Sequence, residues 1–486
     1  MPVKATVPAD NEETPTPKKK QAPDYLTEAE WREKQDSKLR PDIDVSQFKE
    51  MTLDEVAKVL SLTIKDDDSN KKIVFLGMLS AYTQESQINV SLNAPSSTGK
   101  TYIVKEVAGL FPADDKIEIH AATPTSFFYE VDYFDKERNA RIRDVRRKIL
   151  IFYELPDPTL QEKLRPLLSH DNEEIFHKQT NKNKNRNVTE NTIIRGYAAF
   201  VFCSANMKLD EQEATRSILL SPQVTGKKLA QSIHLRVRRG VNEREFRDWL
   251  ESDPDRIALK NRIIAIREER VDEVIIENPE AIEQRFLETV GTLRPRHQRD
   301  VEHLLQLIRS IALLNVWFRF DRASGNVVVN QSDIDQAFDL FGEFFESQDL
   351  NLPPAVHLFY KNYIVPAYIK LGEKYAVSVS YRMDFQKQRT GLTLEDLSIY
   401  YLGVENISVN GDQLRKNILP QLQSAGLVVW TQPTTEYSSA DKRSRHIFPQ
   451  LFTEEEQKQL NYIGNGGLSD EDNEADLEQM DIGLSD

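Results

Sequence analysis

The residues best suited to chemistry are Gly99, Lys100 and Thr101, which close the run Ile88-Asn89-Val90-Ser91-Leu92-Asn93-Ala94-Pro95-Ser96-Ser97-Thr98-Gly99-Lys100-Thr101. A short β-type stretch leads into a loop of small residues. A helical pattern follows, with Ile103, Val104, Val107 and Leu110 spaced for one face. Small residues let backbone N–H groups and a helix N-terminus wrap closely around an anion. Lys100 would neutralise β- and γ-phosphates, and the Thr101 hydroxyl would hold Mg²⁺. This strand, loop and helix form the context of a Walker A loop. Ala94, Pro95, Ser96, Ser97, Thr98, Gly99, Lys100 and Thr101 are therefore the expected binding segment for ATP and Mg²⁺. Ala94 departs from the motif, standing where its first glycine would be, and alanine disfavours positive φ. The chain's other Gly-Lys pair, in Gly226-Lys227-Lys228, lacks both the hydroxyl residue and a preceding strand.

A phosphate loop needs an acid on a partner strand. Lys148-Ile149-Leu150-Ile151-Phe152-Tyr153-Glu154 is an apolar run of buried-strand type ending in a carboxylate. Glu154 would polarise the attacking water and share the metal with Thr101. Tyr153 stands where an Asp-Glu pair would place its aspartate, so metal contact is expected through water from Glu154, or from Asp157. The alternative is an ordinary core strand with an acid at its exit. A third buried run, Tyr197-Ala198-Ala199-Phe200-Val201-Phe202-Cys203, leads through Ser204-Ala205 to Asn206.

The order of these motifs resembles the MCM-like and mobile-element helicase branch of the AAA+ ATPases, over roughly residues 50 to 345. The sharpest likeness runs from Leu164-Arg165-Pro166-Leu167-Leu168-Ser169 to Ala205-Asn206, which is similar to that branch's helix and pre-sensor-1 hairpin. The resemblance implies that Asn206 is sensor 1, orienting water near the γ-phosphate. It implies that Arg216, in Leu209-Asp210-Glu211-Gln212-Glu213-Ala214-Thr215-Arg216, is an arginine finger reaching a neighbouring subunit. A surface arginine at a helix end is the alternative.

Between the acid strand and the third strand, two β-prone arms, Glu174 to Thr180 and Val188 to Ile194, flank an Asn-rich tip. Lys182, Lys184 and Arg186 lie in that tip, with Lys178 nearby and no acid among them. Six such tips in a ring would form a positive collar suited to sequence-independent grip on DNA phosphates. A solvated surface loop is the alternative.

The elements that must position these residues follow from patterning. The expected fold is α/β: a P-loop AAA+ core of parallel sheet with flanking helices, a helical lid and a C-terminal winged helix. The expected boundaries are a disordered arm over 1–44, the core over 45–250, the lid over 251–350, the winged helix over 351–460 and a disordered acidic tail over 461–486. Met51 to Thr83 reads as a helical preamble to the first strand. In the lid, Val301, Leu304, Leu305, Ile308, Ile311 and Ala312 mark one helix face, and Arg296 or Arg299 before it is the sensor 2 candidate. Further on come two helical segments, from Leu392 and over Asn410 to Ser424, then the strand Gly426 to Thr431 and its return His446-Ile447-Phe448. Arg415 and Lys416 on the second helix, with Lys442, Arg443 and Arg445 in the wing, are the expected DNA contacts; a protein dock is the alternative.

Composition sets the outer limits. The chain has 486 residues, 39% hydrophobic, enough for two or three domains. Its one cysteine, Cys203, excludes an internal disulfide framework and a cysteine-based zinc site. No apolar run approaches bilayer length and no signal peptide is evident, so a cytoplasmic, DNA-associated protein of a reducing compartment is expected. The net charge of −15 is concentrated: Gly467 to Asp486 holds eight acidic residues and no basic one. That tail is expected to bind a protein partner. The expectation is an ATP-driven DNA motor, a ring-forming homo-oligomer of six subunits that binds single-stranded or forked DNA and works as a helicase in replication. The rivals are an AAA+ initiator or loader, and a non-hydrolysing DNA-binding regulator switched by ATP.

Overall fold

The computed structural model describes residues 25–37, 43–120, 127, 130–181, 188–205, 215–271, 273–321, 326–376, 391–434 and 443–464. The chain divides into two compact units. One comprises 1–39, 128–144 and 176–194, and the other comprises the rest.

The larger unit is built on a parallel sheet. In chain order its strands and those of the smaller unit are β1 (Val90–Asn93), β2 (Lys116–Ile119), β3 (Tyr133–Asp135), β4 (Ala140–Asp144), β5 (Ile149–Phe152), β6 (Glu174–Asn181), β7 (Val188–Arg195), β8 (Ala199–Ser204) and β9 (Ile218–Leu220). The sheet order is β2-β5-β8-β1-β9, with all neighbours parallel. β1, β5, β8 and β9 are buried along their whole length, which explains their unbroken apolar runs. The helices Leu53–Leu60, Asp68–Leu79, Lys100–Ala108, Pro254–Glu269, His297–Leu314 and Gln331–Asp349 pack into the same core. Leu53–Leu60 starts on a capping box between Thr52 and Glu55.

The smaller unit is the sheet β3-β4-β7-β6. Within the segment 1–44, expected to be a disordered arm, the described residues 25–37 are ordered. Residues Glu28–Asp36 form a helix, started by a capping box between Thr27 and Glu30. Trp31 packs against Tyr133 with ring centroids 5.4 Å apart, beside the core residues Ala140, Ile142 and Ile193. An aromatic anchor plus a cap suffices to order a segment whose composition is otherwise polar. β6 and β7 are neighbours, and their tip, residues 182–187, lies outside the described residues.

After the helix Gln331–Asp349, a second apolar core gathers residues from Leu352 to Ile447. It contains helical segments at Pro354–Phe359, Val365–Ala376 and Leu394–Glu405, then a helical stretch from Gly411 to Ser424. The strands Val428–Thr431 and His446–Pro449 pair antiparallel. A final helix, Glu454–Gly464, runs past the expected start of the tail at 461. Thr453 accepts from the Glu456 N–H, and the Glu456 carboxylate accepts from the Thr453 N–H, which starts that helix. The rest of the acidic tail lies outside the described residues.

Candidate functional site

The sheet register decides where the chemistry converges. Ser91 pairs with Phe202 and Phe202 with Phe152. Two residues further on, Asn93 pairs with Ser204, and Glu154 follows two residues after β5 ends at Phe152. The small-residue loop, Glu154 and the segment towards Asn206 therefore leave the same carboxyl edge of three adjacent parallel strands. Ligands of open α/β sheets bind at that edge. Asn206 itself lies outside the described residues.

The loop has the backbone of an anion cradle. Positive φ occurs at Ser97 (67°) and Gly99 (99°), and Lys100 begins the helix Lys100–Ala108. Ala94 is not among the positive-φ residues. The missing first glycine therefore costs no backbone strain; Ala94 is buried and donates its N–H to the Ser204 carbonyl at 3.3 Å. The Lys100 Nζ donates to the carbonyls of Ala94 at 2.5 Å and Pro95 at 2.7 Å. Burial pulls the Lys100 ammonium below its ordinary pKa, and Cys203 opposes the shift. Burial pushes the Cys203 thiol up to about 11, against Lys100 and a hydrogen bond with Thr101.

Tyr153 is engaged by its neighbours Glu118 and His120. Its hydroxyl donates to Glu118 at 2.9 Å, His120 stacks on its ring at 4.8 Å, and Lys105 lies over the ring at 4.9 Å. Burial and the Glu118 carboxylate raise its pKa well above normal. Glu154, one residue on, is exposed. Among the described residues no group of three or more His, Cys, Asp or Glu gathers as a metal site. Mg²⁺ held largely by phosphates and water needs only one or two protein oxygens. The Thr101 hydroxyl and the Glu154 carboxylate fit that demand.

Arg216 sits at the other edge of the sheet. Its carbonyl accepts from the Asn89 side chain at 3.2 Å, and its Nε donates to Ser169 Oγ at 2.8 Å. Asn89 and Ala94 flank β1 on either side, and the five residue steps between them span about 17 Å at ~3.3 Å per residue. The same edge holds Arg299, which donates to the Thr215 hydroxyl. Arg296 is committed to Asp300, at 3.0 Å, and to the Gln348 carbonyl. The structure thus groups Arg299 with Arg216 and ties Arg296 into its own helix bundle.

The expected DNA contacts divide. Lys178 is exposed on β6, while Lys182, Lys184 and Arg186 lie outside the described residues, as does Lys442. Arg415 and Lys416 are exposed, with Asp412 3.9 and 3.2 Å from them. Arg443 is exposed, and Arg445 lies over the Trp430 ring at 4.9 Å.

Sequence reading missed a wall. A cavity of about 330 Å³ has Ala94–Thr98 and the segment Ser221–Thr225 on one side. Its other side is Phe359, Tyr363, Tyr401 and the stretch Ile407–Asn410. Among the described residues, none of 251–350, the expected lid, lines it.

No family model matches the chain, and no curated protein does. A full-length MCM homolog from Methanopyrus kandleri is similar in structure with a TM-score of 0.37 and 14% identity, over 61% of this chain and 61% of that one. Among the described residues no helix is long and apolar enough to cross a membrane.

Proposed function

We propose that the chain is an ATP-driven motor that acts on DNA, working as a ring-forming helicase. The observation that carries this is the convergence of the Lys100 loop and Glu154 on one carboxyl edge of the parallel sheet. In that reading the loop's N–H groups and Lys100 hold the phosphates. Thr101 and Glu154 would hold Mg²⁺, which would supply charge neutralisation at the phosphates. Glu154 takes the proton of the attacking water, and Asn206 orients that water. Arg216, about 17 Å from its own loop by strand length, serves a neighbouring subunit's site, which requires a homo-oligomer. The exposed Lys178 and the tip residues Lys182, Lys184 and Arg186 grip the DNA backbone, and Arg415 and Lys416 add contacts from a C-terminal winged helix.

ATP turnover measured beside unwinding of a forked duplex tests the reading. Both are expected, and both should be lost in Lys100→Ala. Turnover without unwinding would favour the loader. ATP binding without turnover would favour the switched regulator.

A further inference from the structure

Three features surround the cavity beside the phosphate loop. The first is its fixed floor. Ser221 Oγ donates to the Asn93 carbonyl at 2.6 Å, tying the segment after β9 to the strand that launches the loop. The Gln223 N–H donates to Asp67 at 2.8 Å, Asn70 donates to the Ser221 carbonyl at 2.9 Å, and Lys228 pairs with the same buried Asp67. Lys228 directly follows the Gly226-Lys227 pair. It holds the floor through a buried ion pair.

The second feature is an aromatic wall. Tyr363 and Tyr401 meet edge-on at 4.7 Å, and Phe359 lies 5.1 Å from Tyr363 and 5.7 Å from Tyr401. Asn362, Asn410 and Gln413 bring amide groups to the same cavity. The third is a clamp. Glu405 accepts from the Gly226 N–H at 2.9 Å and from the Tyr363 hydroxyl at 2.7 Å, and the Tyr401 hydroxyl donates to the Val224 carbonyl at 3.3 Å.

We propose that this cavity receives the nucleoside of the bound nucleotide, so that the domain after Leu352 closes over the nucleotide in its own chain. The inference rests on the phosphate-loop reading above and adds where the base goes. A planar heteroaromatic base needs ring faces to pack on and amides for its edge, and both lie beside the loop that would hold its phosphates. The volume lies within the roughly 300–1,000 Å³ of small-molecule pockets.

The test compares MgATP with magnesium tripolyphosphate, which lacks the nucleoside, by calorimetric titration of the full chain. The native chain should bind ATP at least about tenfold more tightly, some 1.4 kcal/mol. Ser408→Trp and Asn362→Trp place bulk at two exposed wall positions. Each should lower ATP affinity to the tripolyphosphate level while leaving tripolyphosphate affinity unchanged, which also verifies the fold. Native ATP affinity in both variants would overturn the inference, with the phosphate-loop reading intact. Equal native affinity for the two ligands would overturn it as well. A native chain that binds neither ligand would overturn both readings together.

Discussion

Glu405 and Gly226 are 179 residues apart in sequence and 2.9 Å apart in space, the carboxylate accepting the N–H that opens the helix Gly226–Val241. The approach is close: a Cβ at Gly226 would lie 1.9 Å from the Glu405 carbonyl oxygen. Gly226→Ala should therefore force the two segments apart at a cost of about 1–3 kcal/mol, typical of overpacking. Urea denaturation would show it as a lower midpoint. An unchanged midpoint would mean that the contact is loose in solution.

On the proposed reading, Lys100→Ala removes the charge that would face the phosphates and should abolish turnover and weaken ATP binding. Glu154→Gln should bind ATP and fail to hydrolyse it. Normal hydrolysis by Glu154→Gln, read as phosphate release, would remove Glu154 from the mechanism.

In the hairpin, replacing Lys182, Lys184 and Arg186 with Ala should weaken single-stranded DNA binding. Three lost phosphate contacts should flatten the log–log salt slope by about 2, at ~0.7 per contact. Fluorescence anisotropy across a salt series reads this directly. ATPase without DNA should persist, and an unchanged slope would make the tip a plain surface loop.

Arg216→Ala should keep ATP affinity and lose hydrolysis by roughly 10³ or more. Lys100→Ala has the complementary defect, so mixing the two inactive proteins should restore part of the ATPase. Mass photometry of the mixture would establish that subunits have exchanged. Absence of rescue in a mixed oligomer would return Arg216 to a structural role, as the partner of Ser169.

The same edge carries a pH dependence. Burial pushes His303 and His170 down to about 4 from 6.5; Asp300 opposes this at His303, where Arg296, Arg299 and His170 reinforce it, and Asp171 opposes it at His170. Both are neutral in the fold, whereas the unfolded chain takes up protons below 6.5. Their contribution is complete above about 6.5 and lost as pH falls towards 4, at about 1.4 kcal/mol per pH unit for each histidine. Denaturation midpoints at pH 7.5, 6 and 5 should fall accordingly, and less steeply in His303→Gln.

The strand, loop and helix around Lys100 were legible because everything they need is local: an apolar run, small residues and a helical pattern in one short stretch. The apolar strands were legible because burial on both faces removes alternation, and the hairpin because its arms flank a polar tip. Tyr153 was not, since its orientation depends on Glu118 and His120 from the adjacent strand. Nor was the side of the sheet on which Arg216 and Arg299 would meet, which needs the β1–β9 register. The wall of Phe359, Tyr363 and Tyr401 drew no sequence signal of its own. Its approach to the loop depends on contacts such as Glu405 with Gly226, which leave no periodic trace.

Cys203 is 2% exposed, and burial pushes its thiol up to about 11 despite Lys100 and Thr101. Thiol-directed reagents act on the thiolate, so the native chain should be almost inert to maleimide dyes while folded. Any cysteine introduced on the surface would then take label alone, without first removing the natural one. Dye pairs placed either side of the cavity could follow its opening in single molecules.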